Sequence, residues 1–206
     1  MSAIAIFDSA WVRCDHLGAI HAFLAANTTA ALQPDEILRA EWAARVSALD
    51  LYVHEVIAHK SIEILSKIRP INTRFSQLQI DASSLLLLQS SPAYLSQMDL
   101  QIRGKLERRT FQHPDEIAEG IRFISDVELW NEVAMIDGAT AASKNIRAKS
   151  IKYQLAAIVQ RRNKIVHEAD LQPTMPRTLW PISTADLKTV RDFVEKTVRA
   201  IDAVVS

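Results

Sequence analysis

The stretch PDEILRAEWAARVSALDLYVHEVIAHKSIEILSKIRP, residues 34–70, decides the fold class. Pro34 opens it where a helix needs no amide partner, and Asp35 and Glu36 set carboxylates against the positive end of the helix dipole. Leu38, Trp42, Val46, Leu49, Val53, Ile57, Ile64 and Ile68 then recur at helical spacing. That stripe predicts a single long helix ending near Pro70.

Outward from it the same period returns. Phe7, Trp11, Cys14, Leu17 and Leu24 predict a first helix, stopped by Asn27-Thr28-Thr29. On the other side, residues 70–91 read as a short irregular insertion, with alternation over Phe75 to Ile80 suggesting a brief extended piece. Ser91-Pro92 caps a helix carried by Leu95, Met98, Ile102 and Leu106 as far as Arg109. Pro114-Asp115-Glu116 opens another, through Ile117, Ile121 and Ile124 and onward to Trp130 and Val133, before Asp137-Gly138 ends it. A helix from about Ala142 to Glu168 follows, then a connection holding Pro173, Pro176 and Pro181. Ser183 and Asp186 form a capping-box pattern ahead of Leu187, Val190, Val194, Val198, Ile201 and Val205. No repeat, long linker or strand–helix alternation interrupts this order. The expectation is an all-α antiparallel helical bundle, a single domain over residues 1–206.

Composition is consistent with that. Of 206 residues 49% are hydrophobic, and only 4 are Gly and 7 Pro, the make-up of one globular domain. Formal net charge is zero, so no global basic field recruits nucleic acid, and any such contact must come from a local patch. Cys14 is the single cysteine; it cannot form an intramolecular disulfide and reads as a small core residue. Met1 to Phe7 lacks the basic start of a signal peptide, and the longest apolar run, Leu85 to Leu88, is too short to cross a bilayer. A reducing cytoplasm is the expected location.

Such a patch exists. Between Gly138 and His167 lie Lys144, Arg147, Lys149, Lys152, Arg161, Arg162 and Lys164, with no acid among them. A solvated helix face is one explanation; contact with phosphates is the other. On a helical projection Ile151, Leu155, Ile158, Ile165 and Val166 share a stripe, and Arg162 falls near its centre, about 20° from Ile151. A charge there is expensive unless it is paired or lines a cleft or a subunit interface. Asn163 and His167 share the flank of the stripe, whereas Arg162 and His167 diverge by about 140°. For both to reach one phosphate, either the helix relaxes at its end or a second protomer contributes. The second case predicts a homodimer with these helices facing their copies across a two-fold axis.

The run Arg161-Arg162-Asn163-Lys164-Ile165-Val166-His167-Glu168 resembles the signature of the HEPN superfamily, an Arg followed by a polar residue and then His after four to six residues. With Leu49 to Glu55 and Ile117 to Trp130, it resembles the RiboL-PSP-HEPN subgroup over most of the chain. The resemblance implies a helical bundle whose paired motifs meet at a dimer interface. It also implies a metal-independent endoribonuclease with no cofactor, of the kind found as toxins or effectors of phage defence, with RNA as substrate and an antitoxin or other regulatory protein as a further partner. In those terms His167 is the general acid–base, Arg162 binds phosphate and stabilises transition-state charge, and Asn163 orients one or the other. Arg161, Lys164, Lys152 and Lys149 would contact RNA, and Asp50 and Glu55 would stand behind the motif. Ala169 occupies the position where some relatives of that family carry a modified Tyr. The other function class is a dimerisation or RNA-binding module that keeps the fold without turnover.

Asp50 with His54 and Glu55 with His59 are one turn apart on the long helix. As metal ligands they lack a third partner at suitable spacing, so structural ion pairs are the expectation. His16, His21 and His113 carry no partner pattern, and Trp11, Trp42, Trp130 and Trp180 read as core or interface anchors.

Overall fold

The computed structural model of the chain describes residues 1–79 and 93–206. Among these it is all-helical: α1 Ala3–Asn27, α2 Asp35–Leu65, α3 Tyr94–Leu106, α4 Pro114–Ile121, α5 Leu129–Ile136, α6 Lys144–His167 and α7 Thr184–Val205. No helix among the described residues is long and apolar enough to cross a membrane.

The long helix predicted over residues 34–70 organises everything else. α2 packs along α1 and also meets α3, α4, α6 and α7. Leu49, Tyr52, Val53 and Ile57 from α2 are fully buried with Phe7, Ile117, Ile121, Leu155, Val194, Val198 and Ile201. Each such aliphatic or aromatic side chain contributes about 1.5–3 kcal/mol by leaving water. α7 begins on the predicted capping box: Ser183 Oγ accepts the Asp186 amide, and the Ser183 amide donates to Asp186 Oδ2 at 2.9 Å. Cys14 is buried and its Sγ donates to the Ala10 carbonyl.

Two boundaries differ from the sequence expectation. α2 ends at Leu65, because Lys67 takes a left-handed backbone (φ 61°) and the Ile68 amide turns back to the Glu63 carbonyl. The run opening at Pro114 is two helices, not one. The chain turns at Phe123 and Ile124, whose amides bond the Gly120 and Ile121 carbonyls, and folds back so that the buried Trp130 indole donates to the Pro114 carbonyl at 2.9 Å. The turn is fixed at its base by close packing: a Cβ on Gly120 would lie 2.7 Å from the Phe111 ring and 2.8 Å from Ile57 Cδ1. Of the insertion at 70–91, Phe75–Gln77 forms a single 3-10 turn. The expected extended piece is therefore a turn there, and Leu78 and Gln79 after it belong to no strand; Ile80 and the Ser91-Pro92 cap lie outside the described residues.

Candidate functional site

The last two turns of α6 hold three kinds of residue. The apolar stripe runs out there: Ile151, Leu155, Ile158 and Val159 are buried, Ile165 is half-buried and Val166 is exposed. Arg161 is committed to the interior. Its guanidinium bonds Asp170 Oδ2 at 2.7 Å and the Pro181 carbonyl at 3.2 Å, and lies 5.7 Å from the centre of the Trp180 ring. Arg39 of α2 shares that carboxylate, with Nε 2.9 Å from Asp170 Oδ2 and Nη2 2.7 Å from the Trp180 carbonyl. Asp170, wholly buried, is thus held by two guanidinium groups. Burial lowers the Arg161 pKa against the pull of Asp170, and the charge of Arg39 adds to the lowering.

This clamp shapes the helix end. Ala169 and Asp170 both adopt left-handed backbone (φ 51° and 54°), and the Asp170 amide bonds the Lys164 carbonyl at 3.0 Å, closing the last turn. Non-glycine residues hold such conformations only when their surroundings over-determine them. Here the buried ion cluster does so. The Trp180 amide bonds the Asp170 carbonyl, strapping residues 171–181 back across the end of α6, and Lys164 Nζ sits 5.1 Å from the Trp180 ring centre. A further tie joins α2 to α6, since Trp42 Nε1 donates to the Ile158 carbonyl at 3.0 Å.

Arg162, Asn163 and His167 lie outside that clamp. Arg162 is half-buried rather than in the core that its projection suggested, because the stripe it shares loses its cover in these final turns. Its Nη1 donates to Asn163 Oδ1 at 3.1 Å, while its Nε is buried with no hydrogen-bond partner among the described residues. Asn163 and His167 are exposed, and His167 makes no side-chain hydrogen bond or ion pair among the described residues. α6 stays helical through His167, with Glu168 as its cap. The local relaxation that would let Arg162 and His167 of one chain converge is therefore not present.

The other expected residues scatter. Lys149 and Lys152 lie at the opposite end of α6, Lys149 exposed and Lys152 paired with Asp115 at 2.5 Å. Asp50 and Glu55, expected behind the motif, are engaged elsewhere. Asp50 accepts the Phe111 amide at 2.6 Å and Gln112 Nε2 at 2.9 Å, and Glu55 takes a bidentate bond from Arg103 at 2.6 and 3.0 Å. Trp42 shows which side of α2 meets α6, and these two carboxylates are turned toward residues 103–112 instead. Their histidines join them: His54 Nδ1 lies 3.4 Å from Asp50 Oδ1 and His59 Nε2 3.8 Å from Glu55 Oε2. Both ring nitrogens of His54 face carbonyl oxygens, those of Asp50 at 2.8 Å and Leu106 at 3.2 Å, so both serve as donors. Hydrogen bonding to Asp50 pushes the His54 pKa up to about 9, and His54, Gln112 and the Phe111 amide hold Asp50 below its ordinary value despite burial.

Sequence reasoning missed the buried charges. Arg45 is completely buried, bonding Asp15 Oδ1 at 2.6 Å and Glu41 Oε1 at 2.7 Å with its guanidinium 4.3 Å from the centre of the Trp11 ring. Arg39 and Asp170 form the second such set. Arg45, one turn from Trp42 and beside Val46 on the apolar stripe, carried a signal; Asp170, after the helix, carried none. His21, assigned no partner from sequence, pairs with Asp35 at 3.3 Å. Comparisons of the chain with protein-family models, curated proteins and solved structures return no match.

Proposed function

We propose that this protein is a metal-independent endoribonuclease of the HEPN type, with Arg162, Asn163 and His167 as its reacting face. The observation that carries the reading is the contrast at the end of α6. Beside the Asp170 clamp stands a half-buried guanidinium whose Nε has no hydrogen-bond partner among the described residues, bonded to an exposed Asn and followed by an exposed His. A cation with spare donors at the edge of a core suits a phosphodiester. His167, as general base, takes the proton of the ribose 2′-hydroxyl, whose oxygen attacks the adjacent phosphorus; Arg162 neutralises charge on the pentavalent transition state. The bond to the 5′-oxygen breaks, that oxygen gains a proton, and the products are a 2′,3′-cyclic phosphate and a 5′-hydroxyl. DNA, lacking the hydroxyl, is not a substrate.

The uninterrupted helix favours a site shared between two copies. With about 140° between Arg162 and His167 on a straight α6, an isologous pair of helices sets Arg162 of one protomer beside His167 of the other. Exposed Val166 and half-buried Ile165 then gain the cover they lack. An acidic regulatory protein fits the same basic helix, and a role as a toxin or defence effector follows from the resemblance of the motif.

The test is cleavage of a mixed RNA pool in EDTA, with product ends analysed for cyclic phosphate. Arg162→Ala and His167→Ala each abolish cleavage, and mixing the two variants restores part of it. A wild-type protein that leaves RNA intact, or variants that still cut, would sink the reading.

A further inference from the structure

Far from the motif, a cleft of about 510 Å³ opens between the first half of α6 and the α4–α5 turn. Arg122, Lys149 and Lys152 line it with Asp115, Glu128 and Asn145. Lys152 is held by Asp115, but neither Arg122 nor Lys149 makes a side-chain hydrogen bond or ion pair among the described residues. Three cations against two carboxylates leave the cleft net positive, with two of the cations uncommitted.

Its position relative to the motif follows from helix geometry. Asn145 and Asn163, and likewise Lys149 and His167, are 18 residues apart, which at 3.6 residues per turn is five whole turns. Lys152 and Asn163 differ by about 20° around the axis. The cleft therefore opens on the face of α6 that carries Asn163 and His167, with Lys152 about 16 Å and Lys149 about 27 Å along the axis from Asn163 and His167 respectively. No acid on α6 interrupts that face.

We propose that this cleft is a remote subsite for the RNA strand cut at the motif, gripping a phosphodiester a few nucleotides from the scissile bond through Arg122 and Lys149, with Lys152 positioned by Asp115. The inference rests on the nuclease reading above. The cavity matches a small-molecule site in volume and admits a nucleotide unit, whereas an A-form duplex is too wide and stiff to enter it. The substrate is thus single-stranded RNA long enough to span both places.

The experiment compares wild type, Arg122→Ala/Lys149→Ala and Arg13→Ala/Lys188→Ala; the last removes two exposed charges from α1 and α7 and controls for net charge. Binding of a labelled 12-nucleotide single strand is followed by anisotropy on the His167→Ala background, across a salt series. Cleavage of that strand and of a dinucleotide is measured on the intact background. The double variant weakens binding of the long strand roughly tenfold or more and flattens its salt dependence. It raises KM without lowering kcat, and leaves dinucleotide cleavage unchanged. Loss no greater than in Arg13→Ala/Lys188→Ala, or equal loss on the dinucleotide, overturns the subsite. Cleft-dependent binding by a wild-type protein that cuts nothing supports the subsite while refuting the nuclease. A protein that neither binds nor cuts RNA refutes both.

Discussion

Arg161 and Arg162 are neighbours in sequence and occupy opposite situations. Arg161 belongs to a cluster in which Asp170 and the Trp180 and Pro181 carbonyls accept from its Nη2, while Asp170 also accepts from Arg39. Arg162 lies where the apolar stripe has lost its cover and has one side-chain partner among the described residues, Asn163. Buried charges that pair with one another hold a fold; a cation left with spare, half-dry donors is available to a ligand. On that ground the clamp is assigned to structure and the adjacent face to chemistry, although both are equally basic in sequence.

The comparison breaks most sharply at Asp170. Asp170→Ala removes the buried carboxylate that Arg39 and Arg161 share, leaving the exposed Glu36 on Arg39 alone, and should cost about 3–5 kcal/mol in chemical denaturation, the cost typical of opening a buried ion pair. A loss near zero would place the clamp among solvated surface pairs.

A second polar knot sharpens the same point through pH. The folded pKa of His54, about 9, lies above its ordinary 6.5, so its contribution to stability is complete below pH 6.5 and fades as pH rises through about 9. The urea midpoint should be higher at pH 6 than at pH 9.5, and His54→Gln should flatten that slope. An unchanged slope in the variant would show that the Asp50–His54 pair does not set it.

Smaller effects are expected where donors are spare or exposed. Arg162→Ala should cost about 1 kcal/mol through its buried stem. Ser183→Ala, which removes the cap of α7, should cost a similar amount, on the order of 1 kcal/mol. His167→Ala should leave the melting temperature nearly unchanged. If His167→Ala proved as destabilising as Arg162→Ala, the contrast between a half-buried and an exposed side chain would fail.

Much of the fold was legible because a helix that buries one face writes its period into the chain. The stripe of α2 and the capping box of α7 were read directly, and the motif on α6 stood out by its acid-free charge. The division of α4 from α5 was not legible: Ile121, Ile124 and Trp130 continue the helical spacing across a turn that only the Trp130–Pro114 bond and the tight seat of Gly120 reveal. The Asp170 clamp was hidden for a similar reason, since Arg39 and Asp170 meet across 131 residues and nothing local marks either as a partner. Asp50 and Glu55 were placed behind the motif by the resemblance alone, and their carboxylates serve residues 103–112 instead.

The most direct measurement is cleavage of single-stranded RNA in EDTA by His167→Ala beside wild type, with the melting temperature of both recorded in the same buffer. The account predicts that cleavage disappears while the two melting temperatures agree, because an exposed side chain without partners among the described residues carries chemistry and no packing. Undiminished cleavage by a folded His167→Ala protein would contradict it.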